Sequence, residues 1–195
     1  SNPGPKPLGK VTGPKPVAES KLITKNTGPA KLEAKIKGAK ELHLVVTDGG
    51  NGYSCDWADW AQPMLIDGVG TQTKLTSLKW KGAVSDFGLV QLDKNCGGKP
   101  LRIAGKSVEF GIGTHANSLI SYTLPKGHKF VKFVSTVGLD NGGTNQGVCG
   151  NLSSVQFHVF TQQPKFTKVA SGGGQSVGER KPEDALENLD VHEAL

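Results

Sequence analysis

Segment 47–60, TDGGNGYSCDWADW, concentrates more chemistry than any other stretch of the chain. It holds Asp48, Asp56 and Asp59, the aromatic residues Tyr53, Trp57 and Trp60, and three glycines. Carboxylates supply hard oxygen ligands for calcium or acceptors for hydroxyl groups. Tryptophan and tyrosine offer flat apolar faces with polar edges. A second loop, 138–146 (GLDNGGTNQ), repeats the design with Asp140, Asn141 and glycines. Asn, Asp and Gly also make good turns in their own right. His115, between a glycine-rich turn and Asn117, either contacts a ligand or braces the turn. His43 and His158 fall inside alternating segments, where a packed or surface side chain is expected.

Enzyme motifs are missing. No GxSxG or HExxH occurs, and the histidines are dispersed. Gly111–Ala116 matches the dinucleotide fingerprint GxGxxA only by accident, because a β-like segment follows it instead of a helix. Asp56 and Asp59 point to opposite faces if extended, so they do not form a glycosidase pair. Cys55, Cys96 and Cys149 are too few and too dispersed for a zinc site. Two of them can pair, with Cys149 the shared partner of either Cys55 or Cys96, or all three stay reduced. A pairing would imply an oxidising compartment.

Short extended segments must position these loops. Residues 31–37 alternate Leu32, Ala34 and Ile36 with charged side chains, a half-buried strand pattern. Further strands are expected at 41–47, 60–66, 75–80, 89–92, 101–103, 108–110 (leading into the glycine-rich turn of 111–115), 119–124, 129–137 and 154–161. Residues 125–127 predict a type II turn with Pro125 second and Gly127 third. Eight or more short strands, Gly 27 and Pro 11 in 195 residues describe an all-β sandwich or jelly roll. Residues 1–25, rich in Pro, Gly and Lys, read as a flexible linker before a module at 26–170. Residues 171–195 read as a Gly-rich joint and the start of a following domain, with a short helix from Pro182.

The formal charge of +6 does not indicate nucleic acid. The basic residues of the middle of the chain are scattered, and only Arg102 there is an arginine. No apolar run is long enough to span a membrane. No signal peptide is visible, and both ends read as cut from something longer.

The motifs together resemble the NPCBM family of carbohydrate-binding modules. The matching pieces are Gly111–Ala116 (GIGTHA), the GLDN of 138–141, the SVQFHV of 154–159, the Leu-rich 75–80 opening, and VTDGGNG with DWADWA from 46 to 61. The resemblance implies a galactose-binding-like jelly-roll β-sandwich, a ligand of galactose type, and often a bound Ca2+ ion. The VTDGGNG and DWADWA pieces resemble the family's C-terminal end yet come first here. A circular permutant is therefore expected, with 67–74 bridging the old termini. The resemblance also implies that the two acidic loops share one domain, and we expect them to meet at one end. On it rest the expected sugar contacts, Trp57 as a stacking face with Asp56, His115, Asn117 and Asn141 as polar partners. Asp48, Asp59 and Asp140 are the expected calcium ligands. Trp57 and Gln62 replace a histidine and an acid common in the family, and Asn141 stands where an acid is common, so the donor set is poorer. Trp60 is expected in the core. The chain is thus expected to be a non-catalytic, secreted or periplasmic module attached to neighbouring domains, or a docking module without sugar affinity.

Overall fold

The computed structural model describes residues 8–167 and the backbone of Glu179–Arg180. In chain order the strands are β1 (Val11–Gly13), β2 (Ala18–Glu19), β3 (Ile23–Thr24), β4 (Ala30–Lys35), β5 (Glu41–Thr47) and β6 (Trp57–Asp67). Next come β7 (Gln72–Lys74), a 3-10 turn at Leu75–Ser77, β8 (Gly82–Ser85), β9 (Gln91–Leu92), β10 (Arg102–Ile103) and β11 (Lys106–Ser107). β12 (Gly111–His115), β13 (Ser118–Thr123) and β14 (Phe130–Leu139) lead into two helical turns, α1 (Asn141–Thr144) and α2 (Gly147–Asn151). The last strands are β15 (Ser154–Phe160), β16 (Lys165–Thr167) and β17 (Glu179–Arg180).

Two six-stranded antiparallel sheets stack face to face. One runs β4-β14-β6-β12-β9, with β7 on the far half of β6; the other runs β2-β15-β5-β13-β8, with β3 on β15. The alternation of β4 follows from this layering, since Leu32 and Ala34 are buried while Lys31, Glu33 and Lys35 face water. Trp60, fully buried, packs edge-on against Phe133 and Phe157 at ring separations of 6.1 and 4.9 Å. It thereby joins the sheets, and the expectation that Trp60 belongs to the core holds. Gln62 has a φ of 47°, and the pairing of β6 with β14 shifts register beside it. Such a bulge lets the eleven-residue strand bend and change partner from β12 to β7.

Several expectations are corrected. Residues 8–25 are not a linker: β2 and β3 pair with β15, and β1 pairs with β16. Leu8 and Ile23 are buried, so two apolar anchors hold a segment whose composition is otherwise linker-like. The expected strand at 75–80 is a 3-10 turn, because Leu75 is fully buried and Ser77 Oγ donates to the Lys74 carbonyl. The His128 N–H donates to the Pro125 carbonyl, which makes Pro125 first, not second, in its turn, with Gly127 third at φ +75°. The expected joint at 171–178 and helix from Pro182 lie outside the described residues.

All the long strands run between two ends. One end carries the loops after β5 and β14 and before β6; the other carries the turns at 36–40, 67–71 and 124–129.

Candidate functional site

The two acidic loops meet. A disulfide joins Cys55, just before β6, to Cys149 in α2, while Cys96 stays a buried free thiol. Asn51 Nδ2 donates to the Leu152 carbonyl, Ser153 Oγ to the Cys55 carbonyl, and Ser154 Oγ to Asn51 Oδ1. These bonds fix the 48–56 loop onto the start of β15.

Asp56 is fully buried and accepts from the Ser154 N–H at 2.9 Å. Burial first, and the nearby Asp48 carboxylate second, push its carboxyl up to about 8, so it is a neutral acid below that pH. It is a bracket between loops, and no surface is left for a sugar.

Trp57 and Asp59 share the outer face of their sheet, opposite Trp60. That face is covered by the 93–105 loop and by α1. The six-membered ring of Trp57 lies so close to Gly97 and Gly142 that a Cβ on either would fall 2.5 Å from it. A Cβ on Gly143 would meet the Cys55 carbonyl at 2.4 Å. The expected stacking face is therefore occupied by the protein's own backbone, and Trp57 packs under the loop.

Asp59 and Asp140 sit side by side, both essentially unexposed. Both oxygens of Asp140 are engaged: it accepts from Gly142 N and Asn95 Nδ2 on Oδ1 and from Arg102 N on Oδ2. It caps α1 in doing so. Burial, then a hydrogen bond and repulsion from Asp140, raise the Asp59 carboxyl well above its ordinary range. Neither Asp59 oxygen receives a hydrogen bond from an N–H or O–H donor among the described residues. The buried Cys96 thiol nearby is pushed up to about 12 by burial and by the same two acids.

Calcium does not fit the expected ligands. Asp48 belongs to a different cluster, where its Oδ1 accepts from Gly50 N at 2.8 Å. The oxygens of Asp140 are filled by N–H donors. Among the described residues, no group of three or more His, Cys, Asp or Glu side chains is arranged to hold a metal ion. Asn141 is turned to structure as well, accepting from Gly105 N and donating to Thr144 Oγ1.

His115 is 2% exposed. Its Nδ1 lies 2.6 Å from the Ala116 carbonyl, which only accepts, so Nδ1 carries the proton and Nε2 is an acceptor. Burial lowers its pKa and keeps the ring neutral. Two exposed rings rest on it: Tyr53, 44% exposed, edge-on at 6.0 Å, and Phe87, 57% exposed, tilted at 5.0 Å. Neither was singled out from the sequence. Tyr53 lay within the 47–60 loop, but Phe87 carries no local signal in SDFGL.

Asn117 connects this aromatic pair to the acidic loop. Its Oδ1 accepts from Asp48 N, and its Nδ2 donates to Asp86 Oδ2, next to Phe87. Beyond it lies an open groove of about 560 Å³ lined by Lys10, Thr47, Asp48, Asn117, Gln156 and His158 among others. His158 Nδ1 donates to Glu19 Oε2 at 3.2 Å, and its Nε2 accepts from Thr47 Oγ1 at 3.0 Å. Of the expected polar partners, Asn117 reaches this surface and Asp56 does not; of the expected calcium ligands, Asp48 reaches it while Asp59 and Asp140 are buried.

A β-sandwich with exposed aromatic rings beside a polar, open groove has the form of a carbohydrate-binding module. A model of the NPCBM/NEW2 domain matches residues 10–66 and 71–191, and the chain belongs to that family. A stretch of 76 residues is 34% identical to alpha-1,3-galactosidase B of Akkermansia muciniphila, covering 39% of this chain and 9% of that protein. No solved structure matches the chain.

Proposed function

We propose that this chain is a non-catalytic module that binds galactose-type glycans and serves a larger, secreted or periplasmic protein. The sugar ring lies on Tyr53 and Phe87 above His115, with Asp48 and Asn117 as hydroxyl partners and the groove toward His158 receiving further residues of the glycan. The observation that carries this reading is the pair of exposed aromatic rings resting on a buried, neutral histidine. Aromatic faces suit the apolar C–H faces of sugars, and each such ring costs little entropy to hold. The galactosidase likeness supports the choice of sugar, and its 9% share supports a module within a longer chain. A non-catalytic role is supported by the sealing of Asp59 and Asp140, the closest acid pair at this end, away from any substrate.

The test is a glycan array followed by calorimetry on the wild type, Tyr53→Ala and Phe87→Ala. Each variant should weaken binding of galactose-terminated glycans about tenfold, roughly 1.4 kcal/mol. No glycan bound by the wild type would overturn the function. Unchanged affinity in both variants would overturn the site.

A circular permutation accounts for the motif order. Two features support it: the family match divides at 67–70, in the β6–β7 hairpin, and Val11 pairs with Phe166, so the ends of the module lie together. The second stretch should then align with the front of the family model and the first with its back; alignment in chain order would exclude permutation.

A further inference from the structure

We infer that the end of the sandwich remote from the aromatic pair is a second binding face, for acidic polysaccharides bearing sulfate or carboxylate groups. Lysines scattered along the sequence are gathered there by the topology. Lys40 precedes β5, Lys81 precedes β8, and Lys126 lies in the turn after β13, and these three strands are neighbours in one sheet. Lys37 follows β4 and Lys129 precedes β14, neighbours in the other sheet. With Lys79, that makes six exposed lysines. Strand spacing of about 4.8 Å within a sheet and about 10 Å between sheets sets them in two close rows.

The acids at this end are engaged. Asp67 accepts from the N–H groups of Val69 and Thr71, and Glu41 lies 3.4 Å from His43 Nε2. None of the six lysines has an ion-pair partner among the described residues, whereas Lys132, further up β14, pairs with Glu33. Between the rows opens a depression of about 540 Å³, lined by Gly38, Lys40, Lys126 and His128 among others. Its floor is fixed, because His128 Nε2 donates to the Ala39 carbonyl and Leu124 N to the Lys40 carbonyl. Unpaired ammonium groups around a rigid, open depression attract polyanions at a distance of about one Debye length, some 8 Å at physiological salt.

A polysaccharide suits this face better than nucleic acid. The exposed aromatic rings among the described residues, Tyr53 and Phe87, are at the other end, and the rings at this end, Trp80 and Phe130, are half-buried against the core, so bases would find a poorer stacking platform here. Among the described side chains no arginine stands here to make forked contacts with phosphate; Arg102 is at the loop end. Lysines act as point charges and accept sulfate or carboxylate without demanding its geometry.

The test compares the full chain with the triple variant Lys40→Glu, Lys126→Glu, Lys129→Glu and a charge-matched control, Lys94→Glu, Lys99→Glu, Lys106→Glu. All six positions are exposed. Binding to heparin and to polygalacturonate is measured at low and physiological salt, separating sulfate from carboxylate. The turn-end triple should weaken binding about tenfold or more and flatten the salt dependence, with the control changing it less than about threefold. Equal losses in both triples would reduce the effect to net charge and overturn the proposal. Tighter binding of a DNA duplex than of either polysaccharide would also overturn it. Amide shifts of the wild type on heparin titration provide a check independent of variant folding. They should centre on residues 38–40 and 126–129; shifts centred on Tyr53 and Phe87 would merge this face with the first site.

Discussion

Asp56 shows how position overrides residue type. As an exposed carboxylate it would hold a hydroxyl or an ion; buried against Ser154 N it is a neutral acid with its carboxyl pushed from 3.8 to about 8. The folded state then binds the proton more tightly than the unfolded chain. The resulting stabilisation is complete below about pH 4 and drains away as pH rises through 8. The melting temperature should therefore fall between pH 5 and pH 9. Asp56→Asn, which keeps the acceptor for Ser154 N and cannot ionise, should flatten that fall in a fluorimetric melt. An equally steep fall in the variant would remove Asp56 as its source. Asp59, whose carboxyl is also raised by burial, follows the same direction: Asp59→Asn cannot ionise beside Asp140 and should fold, whereas Asp140→Ala strands the Asn95, Gly142 and Arg102 donors. A loss of about 2–3 kcal/mol in denaturant unfolding is expected for Asp140→Ala.

Elements position these residues by close backbone approach. The β6 start, α1 and the 93–105 loop pack around Trp57 where only glycine fits at 97, 142 and 143. Gly143→Ala puts a Cβ against the Cys55 carbonyl and should cost about 2 kcal/mol or more, read from the same unfolding curve. The Cys55–Cys149 bridge closes a separation of 94 residues and clamps the loop carrying Tyr53. Its removal by Cys55→Ser with Cys149→Ser should lower stability by about 2–4 kcal/mol. The same variant should weaken glycan binding more than Phe87→Ala does, because the Tyr53 loop loses its anchor. The strands themselves were legible, and in 30–35 the alternation also states which face is buried. The 3-10 turn at Leu75–Ser77 was not, because Leu75, Leu78 and Trp80, spaced by three and then two residues, fit a turn as well as a strand.

For the whole molecule, the layout is a β-sandwich with different chemistry at its two ends, aromatic and amide-rich at one, cationic at the other. A site able to hold calcium at a hundredfold excess over its Kd would add about 2.7 kcal/mol of stability. The donor geometry at Asp48, Asp59 and Asp140 leads us to expect no such gain, so calcium and EDTA should give the same melting temperature. A rise of several degrees with calcium would show that the loops rearrange to bind it. Residues 8–25 also belong to this scale. Deleting them exposes the edge of β15 and removes Leu8 and Ile23, and should destabilise the module; a linker would be lost without effect.

The sequence by itself determined the sandwich, the family and the two acidic loops, because alternation, turn residues and motif order are local properties. It also placed Trp60 inside. Tertiary structure alone decided that Trp57 is covered, that burial raises the carboxyls of Asp56 and Asp59, that Cys55 is the partner of Cys149, and that Phe87 joins Tyr53 over His115. Each of these depends on what a distant segment brings to within a few ångströms, where burial changes a group's charge and backbone contact fills a face that the sequence leaves open. The lysine rows are the same case: charges evenly spread along the chain become a patch only when antiparallel strands return their ends to one side.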